Sequence, residues 1–156
     1  MSEIYLGNPN LKKANTPIQF SAEQIEEFLK CKNNPVYFAQ KYVKIVSLDE
    51  GLVPFQPYKF QEKLIKRFHK NRFNICKMPR QTGKSTTVVS YLLHYAVFND
   101  SVNIGILANK AATARELLGR LQTAYENLPK WMQQGVLVWN RGSLELENGS
   151  KILAAS

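Results

Sequence analysis

The segment Met78-Pro79-Arg80-Gln81-Thr82-Gly83-Lys84-Ser85 holds the residue types with which a protein can grip a polyphosphate. Such a ligand needs backbone amides converging on its oxygens, a helix N-terminus behind them and a cation within reach. The pattern that supplies these is G-x-x-x-x-G-K-[ST], set between a strand and a helix. Gly83, Lys84 and Ser85 fill its last three positions. Gly83 lets the backbone approach the phosphate, Lys84 supplies the cation, and the Ser85 hydroxyl can ligate Mg²⁺. Thr86 follows in what should be the first helical turn and joins them as a binding position. Met78 stands where the first glycine is usual and Pro79 comes next, so the match is partial. Arg80 is either a salt-bridge partner or a charge placed beside the terminal phosphate, where it would stabilise a transition state. A plain helix start with Lys84 in solvent is the bland alternative.

The loop needs elements to hold it. Phe73-Asn74-Ile75-Cys76-Lys77-Met78 is a short strand candidate just before it, and Gly83 to Phe98, almost wholly apolar after its first turn, predicts a helix buried against a sheet. Val102 to Ala108 is nearly continuous in apolar residues and predicts a parallel strand covered on both faces. Ala111 to Asn127 predicts a helix with Ala114, Leu117, Leu118, Leu121 and Tyr125 inward. Strand, helix, strand, helix is the βαβ pattern of an α/β domain. Gly135 to Trp139 and Ser143 to Glu147 are strand-like, and Asn148-Gly149 signals a hairpin into a returning strand from Ser150 to Ala154.

Upstream, residues 1–20 are polar and turn-rich and predict an extended arm. Ser21 and Gln24 form a capping box for a helix to about Cys31, with Ile25, Phe28 and Leu29 on one face. Asn34-Pro35 starts a second helix, to about Val43, burying Val36, Phe38, Ala39 and Tyr42 in part. Residues 48–58, with Gly51, Pro54 and Pro57, predict a linker. From Tyr58 a helix should present Phe60, Leu64, Ile65 and Phe68 on one side and lysines on the other. The domain reading is therefore 1–50, an arm and helical extension, and 51–156, the phosphate-loop portion.

The net charge is +9. Residues 1–50 balance six bases with six acids, whereas Lys59, Lys63, Lys66, Arg67, Lys70, Arg72, Lys77, Arg80 and Lys84 face Glu62 alone. Such a cluster suits nucleotide phosphates or a nucleic-acid backbone, although a solvated helix face is the commoner meaning. No apolar run approaches the roughly 20 residues of a membrane helix. Cys31 and Cys76 share no metal-ligand spacing and are expected as buried free thiols of a soluble, intracellular chain.

Arg80-Gln81-Thr82-Gly83-Lys84-Ser85 resembles the R-Q-x-G-K-[ST] loop of large terminase subunits of tailed bacteriophages, the contractile-tailed type above all. Other blocks match in the same order: Leu6 to Asn15, Val36-Tyr37-Phe38-Ala39, Phe60-Gln61, Ile104 to Lys110, and Trp139 to Ser150. The resemblance implies an incomplete P-loop NTPase core, RecA/helicase-like, with a parallel sheet, a helical N-terminal extension and a C-terminal β-hairpin. It implies ATP and Mg²⁺, with Gln61 pairing with the adenine edge, Phe60 beside the base, Met78 to Thr86 around the phosphates, Ser85 on the metal, and Arg80 and Lys84 in catalytic roles. It also implies double-stranded DNA, a portal protein and a small terminase subunit as partners, a ring on the portal, and assembly in the host-cell cytoplasm.

An ATPase of this kind also needs acids to hold Mg²⁺ and orient water. Asp49 and Asp100 end no apolar strand after the loop, and Glu145 and Glu147 alternate with leucines on a hairpin. The chain is therefore expected to be the front of a longer subunit whose remainder carries the acid pair and a nuclease domain. A helicase or translocase with the same core is one alternative. A non-catalytic DNA-binding or assembly module, its basic helix foremost, is another.

Overall fold

A computed structural model describes residues 3–47 and 49–156. Its elements run β1 (Ile4–Tyr5), β2 (Asn8–Lys12), α1 (Ala22–Asn33), α2 (Pro35–Tyr42), β3 (Lys44–Ser47), β4 (Gly51–Pro54), α3 (Lys59–Lys70), α4 (Lys84–Phe98), β5 (Asn103–Leu107), α5 (Ala111–Glu126), β6 (Val136–Trp139), β7 (Ser143–Leu146) and β8 (Lys151–Ala155). The class is mixed α/β.

The local signals for helices act as expected. The Ser21 hydroxyl accepts from the Gln24 amide at 3.2 Å while the Gln24 carboxamide accepts from the Ser21 amide at 3.1 Å, closing the capping box. Asn34 Oδ1 caps α2 through the Tyr37 amide at 3.0 Å, with Pro35 in the first turn. One apolar cluster then joins the layers, from Leu11, Phe38 and Val43 through Leu93 and Leu118 to Ile152.

The sheet corrects the expectation of a parallel core. Its order is β5-β8-β7-β6, with only β5 and β8 parallel and the other two pairings antiparallel. β8 returns from the Asn148-Gly149 hairpin and continues into the parallel pairing, so hairpin and α/β crossover share one strand. In β5, Ile104 and Ile106 are buried while Asn103, Gly105 and Leu107 are exposed, Leu107 by 76%. The strand is covered on one face, by α5, rather than on both. Helix α4, expected against the sheet, packs chiefly on α5, α3 and α2.

Five further expectations change. Residues 73–78 form no strand: the segment has no ladder partner, Phe73 is 82% exposed and Ile75 wholly so. A strand exists only with a neighbour to bond, and no strand among the described residues lies alongside it. The expected linker contains β4, paired antiparallel with β3 from Lys44↔Pro54 to Ser47↔Gly51. The extended arm is a small hairpin, β1–β2, bridged to β6 through Lys13↔Val136. Helix α1 turns Ile25 and Leu29 outward and buries Cys31, because the face turned to the core runs through Gln24, Glu27, Phe28 and Cys31. Cys76, in the unpaired segment, is exposed rather than buried.

Two side chains near the chain's end hold that first hairpin. Gln133, buried, accepts from the Lys12 amide at 3.0 Å and donates to the carbonyls of Asn10, Tyr125 and Leu128. Glu147 accepts from the amides of Gly135 and Asn15, each at 2.8 Å, and lies 3.6 Å from the Lys12 ammonium. Burial opposes the charge on Glu147, but those two amides and Lys12 together hold its pKa below the ordinary carboxylate value.

His94 sits in the aromatic core between Phe38 and Phe98, with Nε2 2.9 Å from the Cys31 carbonyl and Nδ1 unpartnered. Burial lowers its pKa from 6.5 to about 4, and His69 adds to the effect. The neutral ring is therefore the folded form. Below 6.5 the unfolded chain takes up a proton that the folded chain refuses until about pH 4, so stability falls as pH falls across that window. Between about pH 7 and about pH 5 the loss should be about 2 kcal/mol in urea unfolding. His94→Phe should flatten that dependence; an unchanged slope would show that another group carries it.

Candidate functional site

The residues expected to hold phosphate, Met78 to Ser85, lead into the start of α4. Gly83 is its cap residue, with φ of +71°, and no side chain caps the first turn, which also lacks an acid. The helices α1 and α2 close their N-termini with Ser21 and Asn34; α4 has no side-chain cap. The partial positive charge of that helix end lies next to the loop. Gln81 also has positive φ, 59°, so the chain turns sharply twice within three residues.

The loop is braced from inside. Lys84 Nζ donates to the carbonyls of Met78 and Pro79, each at 2.8 Å, folding its cation back across the turn. Thr82 Oγ1 donates to the Pro79 carbonyl at 3.0 Å. Thr87, fully buried, donates its hydroxyl to the Gly83 carbonyl at 2.8 Å and its amide to the same oxygen at 3.0 Å. These bonds fix the outline of the loop before any ligand is considered. The Lys84 ammonium thus lies against the carbonyl rim of the turn rather than free in solvent.

Arg80 and Ser85 are exposed. Among the described residues Arg80 forms no ion pair, so the salt-bridge reading finds no partner there. Thr86 faces another way: it lines a cavity of about 750 Å³ with Val89, residues of β3 and residues of α5. That cavity lies beside α4 and contains none of the other expected binding positions.

Phe60 and Gln61 come from α3, and the structure brings Gln61 into the loop itself. Its carboxamide is 4% exposed. Oε1 accepts from the Tyr58 amide at 2.8 Å, and Nε2 donates to the Thr82 carbonyl at 3.3 Å. Both ends of the amide are engaged, leaving one N–H for a further acceptor. Gln61 therefore joins the N-terminus of α3 to the phosphate loop. Phe60 is half exposed and stacks on Tyr58, ring centroids 5.9 Å apart and planes 10° from parallel. Tyr58 and Thr87 were not singled out from sequence. Tyr58 could have been found from its place three residues before Gln61, as a cap position; nothing in the sequence marks Thr87.

The nine basic residues from Lys59 to Lys84 form no ion pairs among the described residues, and all but Lys84 are exposed. No group of three or more potential metal-ligating His, Cys, Asp or Glu side chains occurs among the described residues. None of their helices is long and apolar enough to cross a membrane. No protein-family model matches the chain.

A Cβ on Gly83 would lie 2.4 Å from Gln61 Nε2, and the backbone there is left-handed. Gly83→Ala should therefore cost about 1 kcal/mol or more in thermal or urea unfolding. Part of that loss should vanish when Gln61→Ala is made in the same chain. Strictly additive losses in the double-mutant cycle would deny the contact.

Proposed function

We propose that the chain binds Mg-ATP on the loop from Met78 to Ser85 and forms the front of the ATPase domain of a phage large terminase subunit, a P-loop NTPase that drives double-stranded DNA into a capsid. The observation that carries the nucleotide site is the conjunction at α4: an uncapped N-terminus, a left-handed glycine at its cap and a lysine folded across the same turn. A triphosphate satisfies all three, since its oxygens can accept from the amides and from Lys84. The ammonium would exchange two neutral carbonyl partners for charged oxygens, which are the stronger acceptors.

The remaining roles follow from position. Ser85, exposed in the first turn, would be the chain's ligand to Mg²⁺, and the ion would offset phosphate charge. Arg80, which forms no ion pair among the described residues, is available to the terminal phosphate. Gln61 retains one N–H for an adenine edge, and the Tyr58–Phe60 stack offers an aromatic surface beside it. The terminase assignment rests on the ordered blocks of resemblance. Portal protein, small subunit, ring assembly and host-cell cytoplasm belong to the same proposal.

A second reading, a non-catalytic DNA-binding or assembly module, is favoured by the exposed, unpaired bases of α3. It expects a salt-dependent affinity for DNA that ignores ATP.

Titration calorimetry with Mg-ATP tests the site. The wild-type chain should bind, and Lys84→Ala should weaken binding by at least about tenfold, equivalent to about 1.4 kcal/mol. Binding unchanged by that substitution would remove the loop from consideration. The 156-residue chain should release no phosphate in steady state. Steady release that Lys84→Ala abolishes would show that the missing acid is supplied from within these residues.

A further inference from the structure

A second basic site lies away from the phosphate loop. Ala112, Arg115, Gly119 and Gln122 recur at spacings that put them on one face of α5. They line a shallow cleft of about 350 Å³ together with Glu116 and, from the β6–β7 turn, Arg141. Arg115 and Arg141 are both exposed, and neither forms an ion pair among the described residues. The one acid in the cleft is already matched: Glu116 Oε1 accepts from Arg120 at 2.6 Å, one helical turn along.

The cleft is built. Gln122 Nε2 donates to the Asn140 carbonyl at 2.8 Å, tying the turn to the helix. Asn140 Oδ1 then accepts from the amides of Gly142 and Ser143, at 2.9 and 2.8 Å, and from the Ser143 hydroxyl at 3.1 Å. Arg141 is thus carried on a fixed turn opposite Arg115. The floor is low, because Ala112 is small and, apart from its chain neighbours and the backbone of its own helix, no heavy atom lies within 4 Å of the Cβ position at Gly119.

We infer that this cleft between α5 and the β6–β7 turn binds the phosphodiester backbone of a nucleic acid. Each guanidinium can hold two phosphate oxygens in a planar fork. An open, shallow shape suits a continuous strand passing across it, and the walls include no aromatic side chain to seat a base or a compact ligand. Double-stranded DNA presents about one charge per 1.7 Å of axis, so two arginines from different elements in one cleft meet a dense array of phosphates. The reading is independent of the nucleotide site, since no residue of the phosphate loop lines the cleft.

The test is fluorescence anisotropy of the whole chain with a labelled DNA duplex over a series of salt concentrations. Arg115→Gln with Arg141→Gln should weaken binding by at least about tenfold and lower the slope of log K against log salt by roughly 2. Gly119→Leu raises the floor without changing charge and should also weaken binding severalfold. Lys30→Gln with Lys32→Gln on α1 removes the same charge elsewhere and should do less. A loss no greater than this control, or an unaffected Gly119→Leu, would overturn the cleft as a DNA site. Displacement of the duplex by inorganic phosphate or polyglutamate at equal charge would overturn it too, in favour of a small-anion or acidic-protein site. Mg-ATP affinity measured on the same variants should not move. If the wild-type chain fails to bind Mg-ATP but the cleft variants lose DNA, the proposed function falls and this inference stands.

Discussion

A helix cannot satisfy its own ends, and the arrangement of this chain follows from how α4 resolves that constraint. At its C-terminus, Asn148 Nδ2 donates to the carbonyls of Ala96 and Asn99, and the Ser150 hydroxyl donates to Asn99 as well. The tip of the β7–β8 hairpin therefore closes one end of α4. The other end stays open, its amides beside a turn whose shape is set by Gln61, Thr82, Lys84 and Thr87. The helix is therefore finished asymmetrically, with its last carbonyls bonded and its first turn left without a side-chain cap. The closed end binds α4 to the sheet's own hairpin, so loop, helix and sheet share one frame.

Much of the secondary structure was legible because its signals are local. Ser21 with Gln24, Asn34 with Pro35, and Asn148 with Gly149 each act within a few residues, and each produces the feature its chemistry dictates. The failures are of another kind. Gly51 and Pro54 resemble breakers, yet they bound a strand whose ladder is supplied by Lys44 to Ser47. Phe73 to Met78 has the composition of a strand and no neighbour to make it one. Ile25, Phe28 and Leu29 fit a helical period, but the covered face is rotated from theirs, through Gln24, Glu27, Phe28 and Cys31, and the apolar spacing alone did not show it.

The candidate site divides the same way. Gly83, Lys84 and Ser85 could be placed at a helix start by spacing alone. That Lys84 folds back on the carbonyls of Met78 and Pro79 could not, since those bonds depend on the torsions at Gln81 and Gly83. Gln61 was marked by resemblance as a base-reading residue. Its hydrogen bonds give it a structural task as well, because a buried carboxamide must satisfy both of its ends wherever it lies.

The bonds that hold the first hairpin span nearly the whole chain: Lys12 to Gln133 is 121 positions, and Asn15 to Glu147 is 132. On a ribosome that order has a cost in time. Translation at about 5–20 residues per second leaves the hairpin without its partners for roughly 6–30 seconds after it is made. During that interval Leu11, which ends fully buried, has no core to enter. The first hairpin is thus synthesised well before the residues that secure it.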